Sequence, residues 1–160
     1  GWEGKWEEAE AQFRQAVASA PGNAAYRCDR ALALYELGRR EEAKQAYDEA
    51  RRLNPDWPRS AAEQAWRLAT DPEARFRNGK EAVQLAKQVT QSRADERADD
   101  YDVLAAALAE DGRYQEAVEA AGKALRLAES GNQGLRRPIE ERLRLYEKRQ
   151  PYRDTTRSAR

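Results

Sequence analysis

Histidine and methionine are absent from this chain of 160 residues, and it has a single cysteine. A Ser-His-Asp or Cys-His nucleophile pair therefore has no base to use. A zinc site needs histidine or several cysteines, and a disulfide framework needs at least two cysteines, so neither a metal nor a disulfide is expected. Long apolar runs are missing as well. The longest, Val103 to Ala109, is far short of the roughly 20 residues that span a membrane. Neither charge dominates: 29 basic and 29 acidic side chains give a net charge of zero, which speaks against strong nucleic-acid binding. No signal-peptide pattern stands at Gly1. A cytoplasmic location is favoured, but the chain begins without Met like a fragment or processed product, so an upstream signal stays open. Lone Cys28 reads as a small, semi-buried side chain rather than a reactive thiol.

What remains is charge, at 36% of residues, and many alanines. Such a composition reads as a solvent-washed helical protein. The neutrality hides an asymmetry. From Gly134 to Arg160 eight Arg and one Lys face three Glu and one Asp, a balance of +5 that leaves −5 for the rest. A basic end of this kind suits an anionic partner. Without an aromatic ladder or a Gly-rich loop it reads more simply as a solvated helix and frayed tail.

Self-comparison gives the main signal. Gly4, Ala9, Phe13, Ala16 and Pro21 recur 34 residues later as Gly38, Ala43, Tyr47, Ala50 and Pro55. The pattern returns at Gly112 and Ala117, with Ala121 and Ala124 following. A degraded copy lies between, at Glu81-Ala82, Ala86 and Val89, after a five-residue excess within Asp71 to Lys80. Each copy reads as two helices separated by a glycine stop and closed by a turn. Helices are expected near 5–20, 23–37, 40–53, 59–70, 79–91, 98–111, 114–129 and 135–149. Strand signals are nearly absent. Alanines at Ala9, Ala43 and Ala117 let helix axes approach, and a large side chain there would overpack.

The chemistry-bearing motifs are few. Asn78-Gly79-Lys80 is only a scrap of a phosphate loop and reads as a loop before a helix. The carboxylate pairs Glu7-Glu8, Glu41-Glu42 and Asp99-Asp100 sit at helix starts, where anions favour the dipole. No catalytic residue and no cofactor are expected, and the chain is read as not an enzyme. Arg75 and Arg77 flank Phe76 in the insertion. Either the loop docks an acidic partner, or Phe76 folds back and the arginines solvate it.

The period of 34, the helix pairs and the tight alanines resemble the tetratricopeptide repeat family, whose pattern is W-x2-L-G-x2-Y, then A-x3-F, then P. The matches are Tyr101-x2-Leu104-Ala105-x2-Leu108, and Ala9-x3-Phe13, Ala43-x3-Tyr47 and Ala117-x3-Ala121. Arg27 and Arg30 stand where the family has Trp and Leu, which predicts a less well packed or rotated first helix. Leu68-Ala69-Thr70 with Arg75 to Lys80, Leu145-Tyr146 and Pro151-Tyr152-Arg153 resemble the C-terminal repeats of large multidomain bacterial members. The resemblance implies an all-α, right-handed superhelical solenoid of antiparallel helix pairs with a C-terminal capping helix. The expected organisation is one domain over 1–153: a half repeat at 4–21, repeats at 22–55, 56–91 (with the insertion) and 97–130, and a capping helix at 134–149. Leu135, Ile139, Leu143 and Tyr146 give that helix its apolar stripe, and Pro138 is expected in its first turn. Residues 154–160 are expected to be a disordered tail. The N-terminal half repeat lacks its first helix. Either the chain is a piece of a longer array, or the bare face mediates self-association.

The resemblance also implies protein binding, with first helices lining a concave groove for a peptide or partner segment. Carried onto this chain, the groove would show Cys28, Leu32, Tyr35 and Glu36, then Arg59, Ala62 and Trp66, then Asp99, Asp102 and Ala106. Its acidic side favours a ligand with an apolar anchor near Tyr35 and Trp66 and basic residues near Asp99 and Asp102. The plainer alternative is that Trp66 fills the core between repeats and the acids only solubilise. Neither a nucleic acid nor a membrane is expected as partner. The rival function is a structural spacer at the C-terminus of a larger bacterial protein.

Overall fold

The computed structural model describes residues 2–129 and 131–157. The described residues contain α1 (Trp2–Ser19), α2 (Ala24–Glu36), α3 (Arg40–Leu53), α4 (Trp57–Thr70), α5 (Gly79–Ser92), α6 (Ala98–Glu110), α7 (Tyr114–Leu127) and α8 (Gln133–Glu147), with single 3-10 turns at Ala74–Phe76 and Thr155–Arg157 and no strand. The chain divides into two compact units, Gly1–Ser60 and Ala61–Arg160, and the division falls within α4.

In the first unit α2 packs against both α1 and α3. Covered on both sides, α2 buries Cys28, Ala31, Leu32, Ala33 and Leu34, and α3 answers with Ala43, Ala46, Tyr47 and Ala50. Ala9 and Phe13 are half-buried and Pro55 is exposed. The two non-family arginines of α2 do not loosen it. Arg30 Nε donates to the buried Glu10 carboxylate of α1 at 2.9 Å. Arg27 donates to Glu49 of α3 at 2.7 Å and to the Pro21 carbonyl at 2.9 Å. Ion pairs thus hold α2 at the positions where the family has Trp and Leu.

Gly38 ends α2 and Gly112 ends α6 in the same way. Their φ values are 79° and 78°, a left-handed conformation that costs glycine no Cβ clash. Gly38 N–H bonds the Tyr35 carbonyl and Arg39 N–H the Leu34 carbonyl, both at 2.9 Å. Gly112 and Arg113 repeat this on Ala109 and Leu108 at 3.0 and 2.8 Å. The next helix then opens on an arginine–glutamate fork, Arg39 on Glu42 and Arg113 on Glu116. The Glu42 carboxyl is lowered by its hydrogen bond from Arg39, so it does more than favour a helix dipole.

In the second unit one core joins Ala65 and Ala69 of α4, Ala82, Val83 and Ala86 of α5, Ala105 to Ala109 of α6, Ala117, Ala120 and Ala121 of α7, and Tyr146 of α8. Leu104 packs half-buried against it. Asn78 is the N-cap of α5, its side chain accepting from Glu81 N–H at 3.1 Å. A Cβ on Gly79 would stand 2.8 Å from the Asp111 backbone nitrogen and 2.9 Å from the Glu110 carbonyl carbon. Gly79 therefore allows the start of α5 to touch the end of α6. Gly79→Ala would raise helix propensity by about 1 kcal/mol at an open site. Here it is expected to destabilise by about 1–3 kcal/mol through overpacking. A urea melt monitored by circular dichroism gives the sign.

Several expectations change at the end of the chain. Helix α8 begins at Gln133, with Asn132 as its cap, so Pro138 lies inside the helix, in the second turn rather than the first. Ile139 and Tyr146 are buried, and Arg136 donates to the Leu125 and Ala128 carbonyls at 2.7 and 3.2 Å, closing the end of α7. After α8 the chain turns at Arg149, whose φ is 57°, and Gln150 N–H bonds the Leu145 carbonyl at 2.9 Å. The segment that follows is not a disordered tail from 154 onward. Asp154 is 8% exposed, and its N–H donates to the Thr70 carbonyl at 2.8 Å. Residues 158–160 of the expected tail lie outside the described residues.

Candidate interaction surface

Trp66 of α4, Asp102 of α6 and Arg142 of α8 stand on successive first-of-pair helices and come together in the second unit. Arg142 forks onto Asp102, with Nε to Oδ1 at 3.0 Å and Nη2 to Oδ2 at 2.6 Å. Its guanidinium lies 5.3 Å from the centroid of the Trp66 ring and 5.1 Å from that of Tyr152. The Trp66 and Tyr152 rings are themselves 5.7 Å apart and tilted by 46°. The indole Nε1 of Trp66 donates to Asp154 Oδ2 at 2.7 Å. Planar guanidinium suits this place because it can stack on rings and fork onto a carboxylate at once.

A second cluster adjoins it at the end of α6. Glu110 accepts from Arg77 Nε at 3.0 Å and from Arg153 Nη1 at 2.7 Å. Arg77 also donates to the Asp71 and Pro72 carbonyls at 2.8 and 3.1 Å, which fixes the insertion loop. Phe76 in that loop does not fold back into the core. It is 39% exposed, with the Arg75 guanidinium 4.6 Å from its ring centroid.

The candidate groove residues separate on burial. Leu32 is 5% exposed and belongs to the core of the first unit, because α1 and α3 close over both sides of α2. Cys28 is buried too, and burial, followed by the charge of Asp29, pushes its thiol up to about 12. It stays protonated and unreactive. Tyr35 is half-buried with the Arg40 guanidinium 4.3 Å from its ring centroid, while Glu36 and Arg59 are exposed. In the second unit Trp66 is half-buried. It packs against the core and also carries Tyr152 and Arg142. Ala106 is core, Asp99 is exposed, and Asp102 is only 9% exposed. Burial raises the Asp102 carboxyl above its ordinary value, although the hydrogen bond and charge of Arg142 pull it back. Asp100 is likewise buried and raised by burial, with Arg93 Nε 2.7 Å away. Asp100, Asp102 and Glu110 of α6 therefore meet arginines of their own chain.

Sequence reasoning missed Asp154, the fork of Arg142 on Asp102, and the meeting of Arg77 and Arg153 on Glu110. For Arg142 and Arg153 the excess of arginine after Gly134 was the trace, and composition does not tell a paired arginine from a solvated one. Among the described residues no group of three or more Cys, Asp or Glu side chains could hold a metal, and no helix is long and apolar enough to cross a membrane.

Helix pairs that are joined by the same glycine turn and pack through the same alanines define a helical repeat protein. Tetratricopeptide repeat models match residues 3–66 and 101–130. The chain belongs to the tetratricopeptide repeat family, and its fold is all-α. That family is generally a protein-interaction fold and not an enzymatic one. No curated protein matches the chain in sequence.

Proposed function

We propose that the chain is a non-catalytic module that holds a peptide or extended partner segment on the faces of its first-of-pair helices. The observation that carries this reading is the seating of Tyr152 and Asp154 on Trp66. One aromatic face and one indole N–H take an extended segment through a ring contact and a hydrogen bond at 2.7 Å. Aromatic anchors with adjacent charge pairs are the usual source of affinity at such surfaces. Glu110, which takes Arg153 of that segment at 2.7 Å, suits a partner segment carrying arginine or lysine at the same place.

An array of immobilised peptides tests the reading. The chain is expected to select segments that place an aromatic residue beside a basic one, and Trp66→Ala is expected to weaken the selected segments by about tenfold or more. Binding without sequence preference would defeat the proposal and leave the spacer role standing.

A further inference from the structure

We propose that residues 150–157 act as an internal ligand, occupying in cis the place where a partner segment of the same residue order would dock in trans. This rests on the interaction reading above and names its ligand: an extended segment of aromatic, basic and acidic residues in that order.

The geometry is that of a bound peptide. In an extended chain alternate side chains share a side. Tyr152 and Asp154 both meet Trp66, one through its ring and one through its Nε1, while Arg153 between them reaches Glu110. The Asp154 N–H takes the carbonyl of Thr70, the last residue of α4, which helical geometry leaves without an intrahelical donor. The Asp154 carboxylate also receives Thr156 N–H at 3.1 Å, at the single 3-10 turn over Thr155–Arg157.

The approach to the face is built as well. Arg149 adopts φ 57° in the same paired-bond turn that Gly38 and Gly112 make. A residue with a Cβ bears a cost there that glycine does not. The turn reverses the chain after α8 and returns it toward α4. The attachment itself is one backbone hydrogen bond and a short run of side-chain contacts, the kind of element that opens at lower free energy than packed helices. Once displaced, it would leave an indole ring with its N–H, the Glu110 carboxylate and the Thr70 carbonyl facing outward, the complement of an aromatic–basic–acidic segment.

The probe is a fluorescein-labelled synthetic peptide with the sequence of residues 149–157, read by anisotropy. The full chain carrying Y152A/D154A is expected to bind it at least about tenfold more tightly than the unmodified chain, whose face is filled. A peptide with the Tyr-Arg-Asp order reversed is expected to bind about tenfold more weakly, as is the native peptide when Trp66→Phe is added to that variant. Equal binding of native and reversed peptides, or equal binding by variant and unmodified chains, overturns the proposal. Should Y152A/D154A lose helix by circular dichroism, amide exchange in the unmodified chain decides. Excess peptide is expected to speed exchange at Asp154 while α6 stays protected, and unchanged exchange overturns the proposal. Sedimentation checks the cis assignment: a dimer held by exchanged segments overturns it, and a monomer supports it. Peptide binding to the variant with no library segment selected would retain this inference and remove the interaction reading. Selection of library segments without binding of the 149–157 peptide would do the reverse.

Discussion

Replacing Arg142 by methionine is expected to cost about 3–5 kcal/mol of stability at neutral pH, the usual penalty for stranding one member of a buried ion pair. Methionine keeps an unbranched, polarisable stem beside Trp66 and Tyr152, so the loss falls on the charge rather than on the filling of space. Arg142 and Asp102 are each 13% exposed at the side chain. Without the guanidinium the Asp102 carboxylate has no cation forked onto it. Burial already holds this carboxyl above its ordinary value of 3.8, even with Arg142 in place. Removing the arginine raises it further. A carboxyl raised in the folded state binds its proton more tightly there than in the unfolded chain. Its contribution is therefore fully present below 3.8 and is lost as pH rises through the folded value. The deficit of Arg142→Met relative to the unmodified chain should be large at pH 7 and shrink as pH falls toward 4. Urea unfolding at both pH values, followed by circular dichroism, measures it. A deficit that does not change with pH would mean that lost ring packing, not the stranded carboxylate, is responsible.

The legible parts of this molecule are those that local rules decide. Gly38 and Gly112 mark helix ends because a left-handed residue is needed there, and the bonds at the two sites agree to within 0.1 Å or so. Ala43 and Ala117 are buried where the 34-residue spacing puts them. The same periodicity puts Asp99, Asp102 and Ala106 along one side of α6. Periodicity does not say what covers that side, and the cover comes from far along the chain. Arg142 lies 40 residues from Asp102, Arg153 lies 43 from Glu110, and Asp154 lies 88 from Trp66. Leu32 was misplaced for a related reason. The resemblance gives one face of each first helix to the groove, but a helix with neighbours on two sides buries residues well beyond a single stripe. Gly79 carries no local signal of its role, because its constraint is the backbone of α6, which sequence spacing does not reveal.

The other large effect is expected in the first unit, at Tyr47. Its ring is buried in α3, 6.4 Å from that of Trp57 and tilted by 30° to it. Burial pushes its hydroxyl pKa well above the ordinary tyrosine value, so it remains a neutral phenol at any working pH. The corresponding position in the second unit is Ala121, and there Tyr146 of α8 supplies aromatic bulk to the same core. The first unit draws its bulk from Tyr47 and Trp57, so Tyr47→Ala leaves a cavity that only shifts of α2 and α3 could fill. Closely packed alanines such as Ala43 and Ala50 on α3 and Ala31 on α2 leave little room for such a shift. The expected loss is about 3–5 kcal/mol, as for other buried aromatics cut to alanine. Tyr47→Phe keeps the ring and should lose only about 0.5–1.5 kcal/mol, the range for one hydrogen bond. Urea midpoints of the two variants against the unmodified chain separate ring from hydroxyl. A Tyr47→Ala loss below about 1 kcal/mol would mean that the helices close over the cavity, and that α2 and α3 are held by the Arg27 and Arg30 ion pairs more than by packing.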